Sequence, residues 1–442
     1  MTIAETLADI LLRPVHPRAR ERAALHVLDW IGCAVLGAES DAGRVLRSWA
    51  ADECGGPCRA LRAGGRSLST ALAVNGALGN VLEMDDVHRT SILHPGPIVV
   101  PTAIAVAERQ EAASEALLDA VVRGYEAMIR IGASVGPGHY RFWHNTASCG
   151  PFGAAAAAAS LLGLERQALV WALGNAGTQS GGLWQMRHEA VMSKQLHNAR
   201  AAQSGALSAD LAARGFTGPT TILEGPQGFF AAMCPDGDLG RIAVRPDAHW
   251  HIFDTSFKPW PACRHAHPAI DAALALRDKV APDEIESVHV TTYFDALTFC
   301  DRPVPETPLQ AKFSLQHSVA VSLIDGPPSL ASFEPSTIVD PRVVGLRSLV
   351  CVEAGEPYVS GYPEHYGALV EIHLRDGSRC RAAITDALGD PANPLPEAAI
   401  VDKAKTLLRA AALAPSAIDT LVTAALRLAK GGTVRALAEA LP

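Results

Sequence analysis

The sequence predicts a mainly α-helical protein with a smaller, inserted α+β domain. Helical periodicity dominates up to about residue 250, strand-like alternation is confined to a later stretch, and helical periodicity then returns. Composition agrees: alanine is abundant and aromatic residues make up only 5%, which suits closely packed helices better than a β-sandwich.

In order along the chain, residues 18–36 place Ala23, Val27, Ile31 and Val35 at a helical period, with Gly37 as a stop signal. Helical patterns follow over 69–82, 101–110, 114–135, 153–162 and 165–176. A long Ala-rich helix over 194–214 precedes Gly215, a natural C-cap. Strand alternation appears at 287–293 and 368–374, and Asp376-Gly377 turns the second of these into 378–384 as a hairpin. Helical segments at 266–279 and 312–323 lie between the strands. After Pro391, Pro394 and Pro396, helical periodicity resumes from Ala398. The expected organisation is an all-helical domain (1–253), an α+β domain (254–393) and a helical tail (394–442) that returns to the first domain.

At 442 residues, two domains are the natural expectation. Hydrophobic residues at 48% and charged residues at 19% describe a globular chain. A formal net charge of -8 argues against nucleic-acid binding, yet leaves room for an anionic substrate in a local basic cleft. Glu5 and Asp9 stand where a secretory leader would be basic, and the apolar run 154–162 falls short of the roughly 20 residues that a bilayer span needs. Nine scattered cysteines fit reduced thiols, so a cytoplasmic location without membrane association is expected; the close pair Cys54 and Cys58 is read as structural or incidental.

Four segments concentrate titratable residues in apolar surroundings. The first holds Glu83, Asp85, Asp86 and His88, followed by His94 in a Gly/Pro loop. It can deliver an acid/base histidine, or can be a solvated helix end. The second places His144 before a small-residue helix start, where backbone N–H groups favour anions; a packing and capping role is the alternative. The third puts Lys194 and His197 on one helix face. Among so many alanines Lys194 is expected to lose solvation, which moves it toward base function; a surface lysine is the alternative. The fourth gathers Lys258, Cys263, Arg264, His265 and His267 where the second domain begins. No zinc spacing accompanies these histidines, so no metal is expected. P-loop, dinucleotide-binding and serine-hydrolase signatures are absent from the sequence.

Six motifs in order carry a resemblance: LDWIGCAVLG (28–37), LEMDDVH…HPG (82–96), SKQLHNARAA (193–202), ILEGPQGFF (222–230), KPWPACRHAHPAID (258–271) and AKFSLQHSVA (311–320). Over essentially its whole length the chain resembles the MmgE/PrpD family. The resemblance implies an all-helical domain with a smaller α+β lid domain, a homodimer, an active site between the domains, and no metal or organic cofactor. It implies proton transfer on a carbon next to a carboxylate, in dehydration, decarboxylation or epimerisation of small polycarboxylates. By motif, Asp85, His94, His144, Lys194 and Lys258 correspond to family site positions.

The sequence departs from the decarboxylase pattern at Cys263, where that pattern has His, and at Phe299, where it has Tyr. The dehydratase style of the 263–267 segment is missing as well. The resemblance is therefore nearest to an iminodisuccinate epimerase, with a 2-methylcitrate dehydratase-type hydro-lyase as the alternative. In that reading Lys194 works on one face of the substrate carbon and His144 or His94 on the other, with Asp85 orienting a histidine. Lys258, Arg264 and His267, together with His88 and His197, would bind substrate.

Overall fold

The computed structural model describes residues 1–189, 191–244 and 249–442. The chain divides into two compact units, Met1–Thr255 with Pro396–Pro442, and Ser256–Leu395.

The first unit is built on ten helices before residue 213: α1 (Ile3–Leu11), α2 (Pro17–Gly37), α3 (Asp41–Ala51), α4 (Leu68–Leu78), α5 (Gly96–Arg109), α6 (Ser114–Gly132), the single turn α7 (Pro137–Tyr140), α8 (Asn145–Leu161), α9 (Arg166–Gly177) and α10 (Ser193–Ala212). Helices Glu397–Ala410 and Pro415–Arg427 of the C-terminal segment pack on α2. At their centre, α8 is buried on all sides from Asn145 to Ala159. Small residues make this possible: a Cβ on Gly205 of α10 would lie 2.4 Å from the Ala154 Cβ. Backbones that approach this closely gain dense packing without long side chains.

Two sequence expectations shift here. Helix α5 starts at Gly96 rather than Pro101, and Pro101 sits inside it. Proline is most familiar at a helix start, and an internal one lacks the N–H for its own rung of the ladder, which hid the first turn. A hairpin of Cys58–Ala60 with Gly64–Arg66 was not foreseen, its strands being only 3 residues each.

The second unit holds a four-stranded sheet in the order Val350–Ala354, Ile285–Thr292, Ala368–Leu374, Arg379–Ile384. The last three strands are antiparallel, with Val288 opposite Ile372 and Val290 opposite Val370. The edge strand Val350–Ala354 runs parallel to Ile285–Thr292. Helices His267–Arg277 and Leu315–Asp325 supply Ile270, Ala273, Val319 and Leu323 to the core that Val288, Val290, Val370 and Ile372 share. Among the described residues no helix is long and apolar enough to cross a membrane. The nine cysteines are free thiols, and Cys58 is buried with its Sγ 3.3 Å from the Ala105 carbonyl oxygen.

Candidate active site

Polar side chains in the helical unit gather where three helices meet their preceding loops. The first of these loops runs from Gly79 to Pro95. The sequence pattern placed its carboxylates at a helix end, but α4 stops at Leu78, and turns from Val81 to Leu78 and from Glu83 to Asn80 carry the acids onto a loop. Glu83 adopts a left-handed backbone with φ +58, uncommon for a residue with a Cβ.

Asp86 anchors this loop. Its carboxylate accepts from His26 Nδ1 at 2.7 Å, from the Tyr125 hydroxyl at 2.5 Å and from the Gly96 N–H at 2.9 Å. Burial pushes His26 down to about 4, so its ring is neutral and donates through Nδ1. Position 96 must be glycine here, because a Cβ would fall 2.7 Å from Asp86 Oδ1.

Asp85 orients His94. Its two oxygens each lie 2.7 Å from the Asn80 amide nitrogen, and Oδ2 lies 2.9 Å from His94 Nδ1. The same Nδ1 is 2.8 Å from the Asp86 carbonyl oxygen. A carbonyl oxygen only accepts, so Nδ1 carries the hydrogen and the neutral ring keeps its lone pair on Nε2. The His94 side chain is 17% exposed, against 2% for Asp85. The result is a histidine oriented by a carboxylate from behind.

His144 stands at the entry to α8. Its N–H donates to the Gly182 carbonyl at 2.8 Å, and its side chain caps nothing. Gly182 has φ +101, and a Cβ there would clash with Ala147 at 2.4 Å. The His144 ring packs on Trp184 at 4.5 Å, with Nδ1 3.3 Å from His197 Nδ1. Burial first, and then the charge of Lys194, hold His144 well below the ordinary histidine range; the same two causes lower His197. Two neutral rings sharing one hydrogen satisfy this contact. His144 is thus a poor store for an extra proton near neutral pH. Thr146 Oγ1 accepts the His94 N–H at 3.1 Å, and Asn145 donates to the Ser91 carbonyl at 2.9 Å, tying the first loop to α8.

Lys194 is the second residue of α10, and its ammonium pairs with the Glu83 carboxylate. The sequence reading expected desolvation to turn Lys194 into a base; an opposite charge in contact instead favours the ammonium form. Glu83 and Asn80 were not foreseen as site residues. Glu83 lies 111 residues from Lys194 in sequence, so no local spacing announces the pair.

Other expected site residues take different places. His88 is buried, with Nδ1 2.7 Å from Ser91 Oγ and its ring edge-on to His251, and burial pushes it down to about 3. It belongs to a separate group: one ligand atom each of His88, His251 and Asp254 lies within 4.8 Å of the others, the set best able to hold a metal among the described residues. Asp254 Oδ2 is already bound by His249 at 2.7 Å and His251 at 3.0 Å. The positive fields of Arg89 on His88 and of Arg22 on Asp254 oppose a further cation.

In the α+β unit, Arg264 and His267 were expected to hold substrate carboxylates. Arg264 instead pairs with buried Asp390 and donates to the Leu388 and Ala387 carbonyls at 3.1 and 3.2 Å. His267 Nδ1 lies 3.0 Å from Arg264, and its Nε2 donates to the Ala262 carbonyl at 3.1 Å. These groups form a buried network in which the charge of Arg264 is paired, as an arginine taken out of water requires. Lys258 is buried at 1% exposure. His265 donates or accepts at the Tyr293 hydroxyl, 2.8 Å away, and stacks on both Phe299 and Tyr366.

An oriented histidine and a paired lysine in one helical unit are parts that acid–base chemistry uses. The MmgE/PrpD N-terminal domain matches residues 1–241 and the C-terminal domain matches residues 260–425. The chain belongs to the MmgE/PrpD family. It is similar to a cis-aconitate decarboxylase of Aspergillus terreus, 27% identical over 417 residues, covering 88% of this chain and 84% of that protein. A mouse cis-aconitate decarboxylase is 28% identical over 70% of this chain and 65% of its own length. A 2-methylcitrate dehydratase of Salmonella typhimurium is 27% identical over 34% of this chain and 38% of its own length.

Proposed function

We propose that the protein is a lyase-type enzyme that moves a proton on a carbon next to a carboxylate of a small polycarboxylate. The observation that carries this reading is His94, whose Nδ1 is bound by Asp85 and the Asp86 carbonyl so that Nε2 is left as the base. In a hydro-lyase cycle Nε2 takes the α-proton and the C–H electrons form the C=C bond. The C–O bond then breaks, and the departing hydroxyl takes a proton from the Lys194 ammonium to leave as water. Negative charge that builds on the substrate carboxylate is stabilised by that same ammonium and by the N-terminus of α8 behind His144. His144 and His197, held neutral, contribute hydrogen bonds rather than charge. Every step falls to a side chain, and we include the absence of a metal or organic cofactor, the homodimer and a cytoplasmic location in the proposal.

Both lyases named among the relatives act on compounds of this class, which supports the hydro-lyase reading over the epimerase one. The epimerase reading rested on Cys263, Phe299 and the 263–267 segment, and the relatives named above do not support it. Decarboxylation remains the competitor within the lyase class, and Phe299, stacked on His265, stands where that pattern has a hydroxyl. The test is incubation in deuterated water with 2-methylcitrate, cis-aconitate and iminodisuccinate in separate reactions. Alkene absorbance from 2-methylcitrate is the expected result. Carbon dioxide from cis-aconitate would replace dehydration by decarboxylation, and deuterium with inversion in iminodisuccinate would restore the epimerase. No turnover and no exchange in any of the three would overturn the reading.

A further inference from the structure

Glu83 has no part in the reaction as drawn above, yet its placement is unusual. It is buried, with 4% of its side chain exposed, and its backbone is in the left-handed region at φ +58. Such a conformation persists where the surroundings over-determine it. What it achieves is contact between its carboxylate and the Lys194 ammonium. Lys194 needs such a partner: it lies in the first turn of α10, where the helix dipole disfavours a cation. His144 at the start of α8 and His197 one turn along α10 both feel the lysine charge, and His94 and Asp85 act on His144 as well.

We infer that Glu83 is a positioning residue that keeps Lys194 protonated and aimed, so that Lys194 serves as the cation and proton donor while His94 is the base. The inference rests on the proposed lyase reading for its consequence, but the charge state of Lys194 can be measured without any substrate. Competitive acetylation of Lys194 with acetic anhydride across a pH series, read by peptide mass spectrometry, reports when the amine becomes nucleophilic; its side chain, 16% exposed, is within reach of so small a reagent.

In Glu83→Gln the labelling curve is expected to move at least one pH unit toward acid, about tenfold faster labelling at a fixed pH below the transition. Glu83→Asp, which keeps the charge on a shorter arm, is expected to fall between the two. Where a substrate is turned over, the alkaline limb of kcat/KM should move with the labelling curve. Near-UV circular dichroism establishes that each variant is folded, and if Glu83→Gln is not, Glu83→Asp decides alone. Labelling of the folded variants at the wild-type rate overturns the role of Glu83, even if the lyase reading stands. Shifted labelling with no turnover of any polycarboxylate would sustain the role and sink that reading.

Discussion

In the helical unit His94, His144, His197 and Lys194 sit on loops or within the first two turns of helices, in contact with one another or with the acids of the 79–95 loop. In the α+β unit the same residue types are closed in on themselves: His265 lies between two aromatic rings, and Arg264 and His267 satisfy each other, Asp390 and the backbone. Residue identity therefore separates the two regions poorly. What separates them is placement: the groups of the helical unit lie near helix starts, where backbone N–H groups favour anions, whereas Arg264 and His267 are buried against each other and against backbone carbonyls.

The largest expected effect lies in the helical unit. Lys194→Ala should lower turnover by about 10²–10⁴-fold, the range for loss of a general acid or base, with the far-UV circular dichroism spectrum unchanged. A nearly normal rate would remove Lys194 from the chemistry and blur the contrast between the units. Asp85→Asn should also act on turnover, by about 10²-fold or more, since an amide no longer stabilises the imidazolium that forms on His94. Its signature is a kcat that falls while thermal stability holds.

Substitution in the α+β unit should show the reverse pattern. Arg264→Ala leaves Asp390 buried without its charge partner, which costs about 3–5 kcal/mol. Thermal melting should report the loss, and any fall in activity should track the folded fraction. A variant with wild-type melting and no activity would return Arg264 to substrate binding.

A graded effect is the acid response, small near neutrality. His26 and His88, held neutral at about 4 and about 3, bind protons more readily in the unfolded chain, whose histidines titrate near 6.5. Stability therefore declines as pH falls below about 6.5 and continues to decline until the folded values are passed, by up to about 1.4 kcal/mol per pH unit for each ring. In the α+β unit, burial lowers His317 in the same sense, to about 4. Hydrogen exchange at pH 5 should consequently rise more around α2 and the 79–95 loop than in the four-stranded sheet; equal changes would contradict the assignment of these rings.

Helix-rich and sheet-bearing regions were legible because their patterns are local. Asp376-Gly377 announced the hairpin, and Gly377 takes φ +87 as that turn requires. The edge strand Val350–Ala354 escaped because it is short and pairs in parallel with a segment far away in sequence. Of the candidate site, Asp85, His94, His144 and Lys194 were named from titratable residues beside helix starts and from family motifs. Glu83 and Asn80 were not, since their roles exist only once the loop has turned back. Arg264 shows the same limit: the cluster of cations is local in sequence, but its buried partner, Asp390, is brought to it only by the fold.

The Asp86 carbonyl that meets His94 Nδ1 at 2.8 Å makes the tautomer of this histidine partly a property of the backbone path. No side-chain exchange at position 86 deletes a peptide oxygen. What such an exchange could do is release the three anchors at His26, Tyr125 and Gly96, letting the peptide plane rotate away from the ring. Retuning this enzyme by design would therefore succeed more readily at the side chains around the histidine than at the loop that carries it, where a change of chemistry and a change of fold are the same event.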